Sequence, residues 1–286
     1  MDLALRPGRA DDAAECGRIC FEAFSEIARQ HGFPSDAPAS AEAAAGMAES
    51  LLNHPGFYSV VAELDGRIVG SNFLDERSPV VGVGPVTVDP AAQNGGVGRR
   101  LMEDVMRRAA ERGVPGIRLL QSGYHSRSFA LYAALGFEFR ETVACLQGRP
   151  IGGTVPGYEV RPATDADVAA CNEVCRKVHG ADRGGELADA LKTGTARVTE
   201  HGGRITGYAT DLSFFAHAVG ETTEDIRALI AAAPAFGGPG ILVPASNSAL
   251  LQWCLRNGLK VGQLMSLMTI GLYNEPAGAY LPSILY

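Results

Sequence analysis

Ala13, Cys16, Ile19, Cys20, Ala23 and Ile27 recur at i, i+3 and i+4 intervals just after Asp11 and Asp12. This pattern predicts an amphipathic helix with carboxylates at the positive end of its dipole. Residues 3–6 ahead of it predict a strand, and residues 41–52 predict a second helix beyond a loop at 32–39. Residues 60–64, Asp65-Gly66 and residues 67–70 read as strand, turn and strand, because Asp-Gly between apolar runs is a strong hairpin signal. The β-branched run 80–88 is broken by Gly84-Pro85. Proline would interrupt a central ladder, so a bulge or splayed edge with unpaired amides is expected there. Val97, Leu101, Met102, Val105 and Ala109 then share one helix face closed by Gly113. A strand at 117–121 and a helix at 126–135 ending in Gly136-Phe137 follow.

The pattern occurs twice. Arg6-Pro7, Asp12, Cys16 and Cys20 recur as Arg161-Pro162, Asp167, Cys171 and Cys175, each 155 residues on. The hairpin recurs around Gly202-Gly203. Residues 247–259 match 125–137 at an offset of 122, with Cys254 in place of Tyr132. Gly- and Pro-rich residues 148–156 form a break-rich linker. The expected units are therefore 1–149 and 156–286, in line with two domains for 286 residues.

Composition narrows the function. Hydrophobic residues at 46% and charged residues at 20% exclude a disordered chain. A net charge of −7 without a basic run argues against nucleic acid as a partner. No apolar run is long enough to span a membrane, and residues 1–9 lack the marks of a signal peptide, so a cytoplasmic protein is expected. The six cysteines form no C-x-x-C pair, so neither a metal site nor a redox pair is expected, only buried reduced thiols.

The chemistry concentrates at residues 89–99. Gln93-Asn94-Gly95-Gly96-Val97-Gly98-Arg99 opens the helix that begins near Val97. A glycine-rich turn at a helix N-terminus presents free amides at the positive end of the dipole, a ready site for pyrophosphate, to which Arg99 can add a charged contact. The spacing is neither a P-loop nor G-x-G-x-x-G, which also argues against a nicotinamide dehydrogenase. Hairpin, bulged strand, Q-x-x-G-x-G turn, helix, strand, and a helix carrying Leu131-Tyr132-Ala133-Ala134-Leu135-Gly136-Phe137 follow in order. Over residues 1–147 this order resembles the GNAT acyltransferase superfamily.

The resemblance implies an α/β fold of two GNAT-like domains, each a mixed central sheet flanked by helices, with acetyl-CoA as acyl donor. By match, Val86, Thr87 and Val88 hold the pantetheine arm, and Gln93, Asn94, Gly95, Gly96, Val97, Gly98 and Arg99 hold the pyrophosphate. His125 bonds the pantetheine or caps the helix. Tyr132 occupies the family position of the general acid; packing on an amphipathic helix is the alternative. The implied reaction is direct acetyl transfer to a primary amine of a small molecule or peptide. A non-catalytic acyl-CoA sensor is the alternative, because the strand glutamate of many relatives is missing from 80–88. Asp75 and Glu76 are the nearest acids by sequence, and the carboxylate of Tyr286 is a further candidate for the cleft. The second copy lacks the glycine turn and the tyrosine. It is expected to be degenerate, and to shape the acceptor cleft or mediate a homodimer. His217 and Glu221 there either face a ligand or are ordinary satisfied groups, and Trp253 is expected to pack in the core.

Overall fold

In the computed structural model, which describes residues 3–285, the first copy runs through β1 (Leu3–Pro7), α1 (Ala13–His31), α2 (Ala41–Asn53), β2 (Phe57–Leu64) and β3 (Arg67–Asp75). It continues with β4 (Val81–Val83), β5 (Thr87–Val88), α3 (Val97–Glu111), β6 (Gly116–Ser122), α4 (Ser126–Ala134) and β7 (Glu138–Gln147). The second comprises β8 (Tyr158–Pro162), α5 (Val168–His179), α6 (Gly184–Thr193), β9 (Arg197–His201), β10 (Arg204–Ala209) and β11 (Ala218–Gly220). It ends with α7 (Thr223–Ala232), β12 (Ile241–Pro244), α8 (Ser248–Arg256), β13 (Lys260–Gly271) and β14 (Ala279–Leu281).

Local chemistry explains the punctuation. Asp65 and Gly66 both take positive φ (49° and 79°), the backbone a two-residue hairpin turn requires. Ser40 caps α2 by accepting from the Ala43 amide at 3.2 Å. The repeated Arg and Asp make the same clasp in both copies. Arg6 bonds Asp12 at 2.7 Å and Glu63 at 2.8 Å, and Arg161 bonds Asp167 and Glu200, each at 2.8 Å. Each clasp ties the first strand to the start of the first helix and to the hairpin. The hydrogen bond from Arg6 holds the Asp12 carboxyl below the usual range, and that from Arg161 does the same for Asp167.

Sheet order departs from two separate units. One sheet runs β1-β2-β3-β4-β6-β13-β7-β12, with β5 on β3; the other runs β14-β11-β10-β9-β8. Thus β13 of the second copy lies between β6 and β7 of the first, antiparallel to both. Reciprocally, β7 lies between β12 and β13 of the second copy. The exchange carries core residues with it. Met268 on β13 is fully buried with Leu101, Met102 and Val105 of α3, and Leu146 on β7 is buried with Ile226, Ile230 and Leu250. The apolar alternation of a strand marks its faces but not its neighbours, so the sequence pattern contains no sign of this swap.

The equivalent of β4 in the second copy is β11, and its outer edge is taken by β14 through Ala218↔Leu281, Val219↔Tyr280 and Gly220↔Ala279. Ala279 and Leu281 pack with Ile241 and Val243 of β12. The wedge that stays open in the first copy is filled here by the chain's own C-terminal segment. Instead of a glycine turn, Thr222 caps α7 in a reciprocal bond with Asp225. Cys254, at the tyrosine position, is wholly buried.

Candidate active site

β4 pairs in parallel with β6 only through Val81↔Ile117 and Gly82↔Arg118. After Val83 the chain breaks at Gly84-Pro85, and β5 resumes on β3 alone through Gly70↔Val88 and Ser71↔Thr87. The two strands diverge because the proline can neither donate to the ladder nor leave room for it. Between residues 83–88 on one side and 119–122 on the other opens a cavity of about 740 Å³.

Most of the expected site residues meet here. Val86, Thr87 and Val88 wall one side. Gln93, Asn94, Gly96, Val97, Gly98 and Arg99 close one end, and His125 and Tyr132 belong to the same lining. Gly95 stands in the turn but outside this wall. The Thr87 side chain turns inward to Ser71 at 3.2 Å, so its backbone is what it offers the cavity. Gly96, at φ 82°, is the N-cap of α3, and the first amide bonded back to it is that of Arg100, at 3.1 Å. The amides of Val97, Gly98 and Arg99 precede that bond, at the positive end of a 15-residue helix.

The turn is fixed by side chains. Gln93 donates to the Val88 carbonyl at 3.1 Å, tying turn to strand. Arg127 donates to Gln93 Oε1 at 2.6 Å and to Asn94 Oδ1 at 3.1 Å. It brings a second cation beside Arg99 to the end of the cavity that suits phosphate. The sequence reading missed Arg127; its only signal was a basic residue in the first turn of a helix, where cations are otherwise disfavoured.

His125 begins α4, but its side chain makes no capping bond. Burial, with Arg127 and His31 nearby, pushes its pKa down to about 4, so the ring is neutral, and its Nε2 has no partner. Tyr132 is 8% exposed, with its ring 6.0 Å from that of Phe137. Burial pushes its phenol up to about 12, which keeps the proton on. Gln121, on the β6 wall, accepts at Oε1 from the Ser128 hydroxyl at 2.8 Å and leaves Nε2 without a partner, a buried donor in the lining of the cavity.

Neither neighbouring acid enters the cavity wall. Asp75 is buried against Arg77, at 2.8 Å from its Nε, and Glu76 pairs with Arg108 at 2.9 Å and Arg112 at 2.8 Å. Burial works against the Glu76 charge, but the two arginines outweigh it and hold the carboxyl below its usual range. The acid that does line the cavity is Asp36, from the loop between α1 and α2. Burial pushes its carboxyl up, partly offset by bonds from Ser122 and Gln263. A lone aspartate in a loop gives no periodic signal, which is why the sequence reading passed over it. Tyr286 lies outside the described residues. His217 is a satisfied core group, 2.9 Å from the Tyr208 hydroxyl and 3.1 Å from Glu186. Glu221 pairs with Arg204 at 2.6 Å, and Trp253 packs half-buried on the second core.

The site thus combines a sheet splayed at an interrupted strand, a glycine turn opening the next helix and a buried tyrosine behind the gap. Residues 21–137 match the acetyltransferase (GNAT) family. Mycothiol acetyltransferase of Amycolatopsis mediterranei is 35% identical over 100 residues, which cover 32% of this chain and 33% of that protein. The chain thus spans about a third of the length of the curated relatives it matches. A candidate acetyltransferase of Pyrococcus horikoshii superposes with a TM-score of 0.72 at 18% identity, over 99% of this chain and 92% of that one. A tandem GNAT protein from the clavulanic acid biosynthesis pathway superposes at 0.56 and 14% identity, over 94% and 98%. The fold is therefore shared along both copies.

Proposed function

We propose that the chain transfers an acetyl group from acetyl-CoA to a primary amine of a small molecule or peptide by direct attack, with 1–149 as the catalytic domain and 156–286 as a degenerate partner. One observation carries this reading: the α3 amides, the free edge of β5 and the Tyr132 phenol border a single cavity. The amides and the arginines take the pyrophosphate, and the edge of residues 86–88 takes the pantetheine amides. Donors fixed before reaction, the Gln121 amide and the backbone at the strand break, suit the oxyanion that forms on the thioester carbonyl. Tyr132 serves the departing sulfur.

Direct attack is favoured over an acyl-enzyme because the cysteine in the wall, Cys20, is a poor nucleophile, its thiol pushed up to about 12 by burial. The six cysteines are free and buried, which fits a cytoplasmic location. A sensor has no need of a buried phenol behind the thioester. Purified protein is to be mixed with acetyl-CoA and a panel of amines, and thiol release followed. Acceptor-dependent release is expected. Tight acetyl-CoA binding without release for any amine would favour the sensor, and no binding would end both readings.

A further inference from the structure

Beyond the strand gap the cavity continues between walls drawn from both copies: Ile27 of α1, Met47 and Leu51 of α2, and Phe214, Met265 and Ile284 of the second copy. Asp36 is the one carboxylate lining it among the described residues. Its Oδ2 accepts from the Ser122 hydroxyl at 2.9 Å and from Gln263 Nε2 at 3.3 Å. Its Oδ1 has no partner and is closed to bulk solvent. Gln263 is 6% exposed, and with its amide nitrogen given to Asp36, its Oε1 is also left without a partner. Both unfilled atoms are acceptors.

Buried polar atoms are almost always bonded, so an orphaned carboxylate oxygen in the cavity wall, backed by a second orphaned acceptor on Gln263, calls for a ligand that donates. A negatively charged group would face the Asp36 carboxylate there. Arg77, the cation in the neighbouring wall, is already held by Asp75 at 2.8 Å and Asp189 at 3.1 Å. Resting on the acyltransferase reading, we propose that Asp36, held by Ser122 and Gln263, seats the ammonium of an acceptor whose remainder is hydrocarbon, a primary alkyl- or arylalkylamine carrying no carboxylate of its own. The ammonium passes one proton to Asp36, and the freed nitrogen lone pair forms the C–N bond to the thioester carbon. The nitrogen then gives up a second proton as the C–S bond breaks, and the departing thiolate takes one up, so that one proton is released per turnover. The largely apolar walls beside Asp36 favour a hydrocarbon over an amino sugar.

Equilibrium binding to the full chain in the presence of coenzyme A tests this with 2-phenylethylamine, phenylalanine and glucosamine as probes. Phenylethylamine is expected to bind, with the other two weaker by about tenfold or more. Asp36→Asn is expected to weaken phenylethylamine by about tenfold or more while coenzyme A affinity stays unchanged. Absent binding of phenylethylamine overturns the proposal. So does equal or tighter binding of either comparison probe, or a folded Asp36→Asn protein that keeps its amine affinity. If that variant does not fold, the ranking of the three probes on the natural chain decides. Thiol release is read separately: the expected ranking without thiol from any amine supports the ammonium seat and counts against acetyl transfer.

Discussion

Replacing Tyr132 by Phe removes one oxygen and leaves the ring against Phe137, where its centroid lies 6.0 Å away. The fold should survive, because among the described residues no other side chain hydrogen-bonds that hydroxyl. The phenol sits at about 12 through burial, whereas an ordinary alkyl thiol lies near ~8.5. Complete proton transfer to the finished thiolate is then uphill by about 3.5 pH units, or roughly 4.8 kcal/mol. The phenol therefore acts mainly as a hydrogen-bond donor to charge growing on sulfur. A bond of that type to a charged partner contributes about 1.5–3 kcal/mol, so kcat should fall by about 10- to 150-fold. The donor affinity, set at the α3 end, should hold. Thiol release at saturating acetyl-CoA and amine measures kcat, and calorimetry measures donor affinity. A kcat within about twofold of the natural chain would remove Tyr132 from the chemistry, and a loss above about 10³-fold would show that a whole proton is moved.

Three further outcomes follow from the geometry. Gly96→Ala places a Cβ at φ 82° in open space, so the strain is conformational and should cost about 1–2 kcal/mol of stability by thermal melting. It should also weaken coenzyme A binding by calorimetry; unaltered affinity would count against the turn as the phosphate site. Asp167→Asn breaks the second clasp and should cost about 1.5–3 kcal/mol in denaturant at neutral pH. The folded pKa of Asp167 is depressed, so its contribution is full above its unfolded value near ~3.9 and fades as pH falls toward the folded one. The natural and variant curves should converge in acid, and a constant gap down the whole range would refute the clasp. Gly82→Ala drives a Cβ into the Leu285 carbonyl oxygen, so the C-terminal segment must move off β4. The KM for amine should rise with that for acetyl-CoA unchanged, and an unchanged amine KM would show that residues 284 and 285 do not wall the acceptor side.

What could be read from sequence was whatever short-range chemistry enforces. The Asp65-Gly66 turn, the proline break at 85 and the glycine turn at the start of α3 each follow from a few adjacent residues. The duplication was legible because Arg-Pro, Asp and two cysteines recur at one offset, and the structure shows why the Arg and Asp are kept: they form the same clasp in both copies. Placement across long separations was not legible. Asp36 and Gln263 are 227 residues apart and become partners only after β13 crosses into the first sheet. The filling of the second wedge by β14 was equally hidden, because Ala279, Tyr280 and Leu281 look like any short apolar stretch.

The reciprocal placement of β7 and β13 sets the order in which this molecule can be made. As the nascent chain leaves the ribosome, β6 and β7 emerge more than a hundred residues before the strand that belongs between them, and Gly116 must wait for Gly271. Until then both edges stand bare, open to the same strand of another unfinished molecule. Neither half released alone completes its sheet. A gene split at the linker should give two insoluble products, and co-expression of the halves should restore a folded pair.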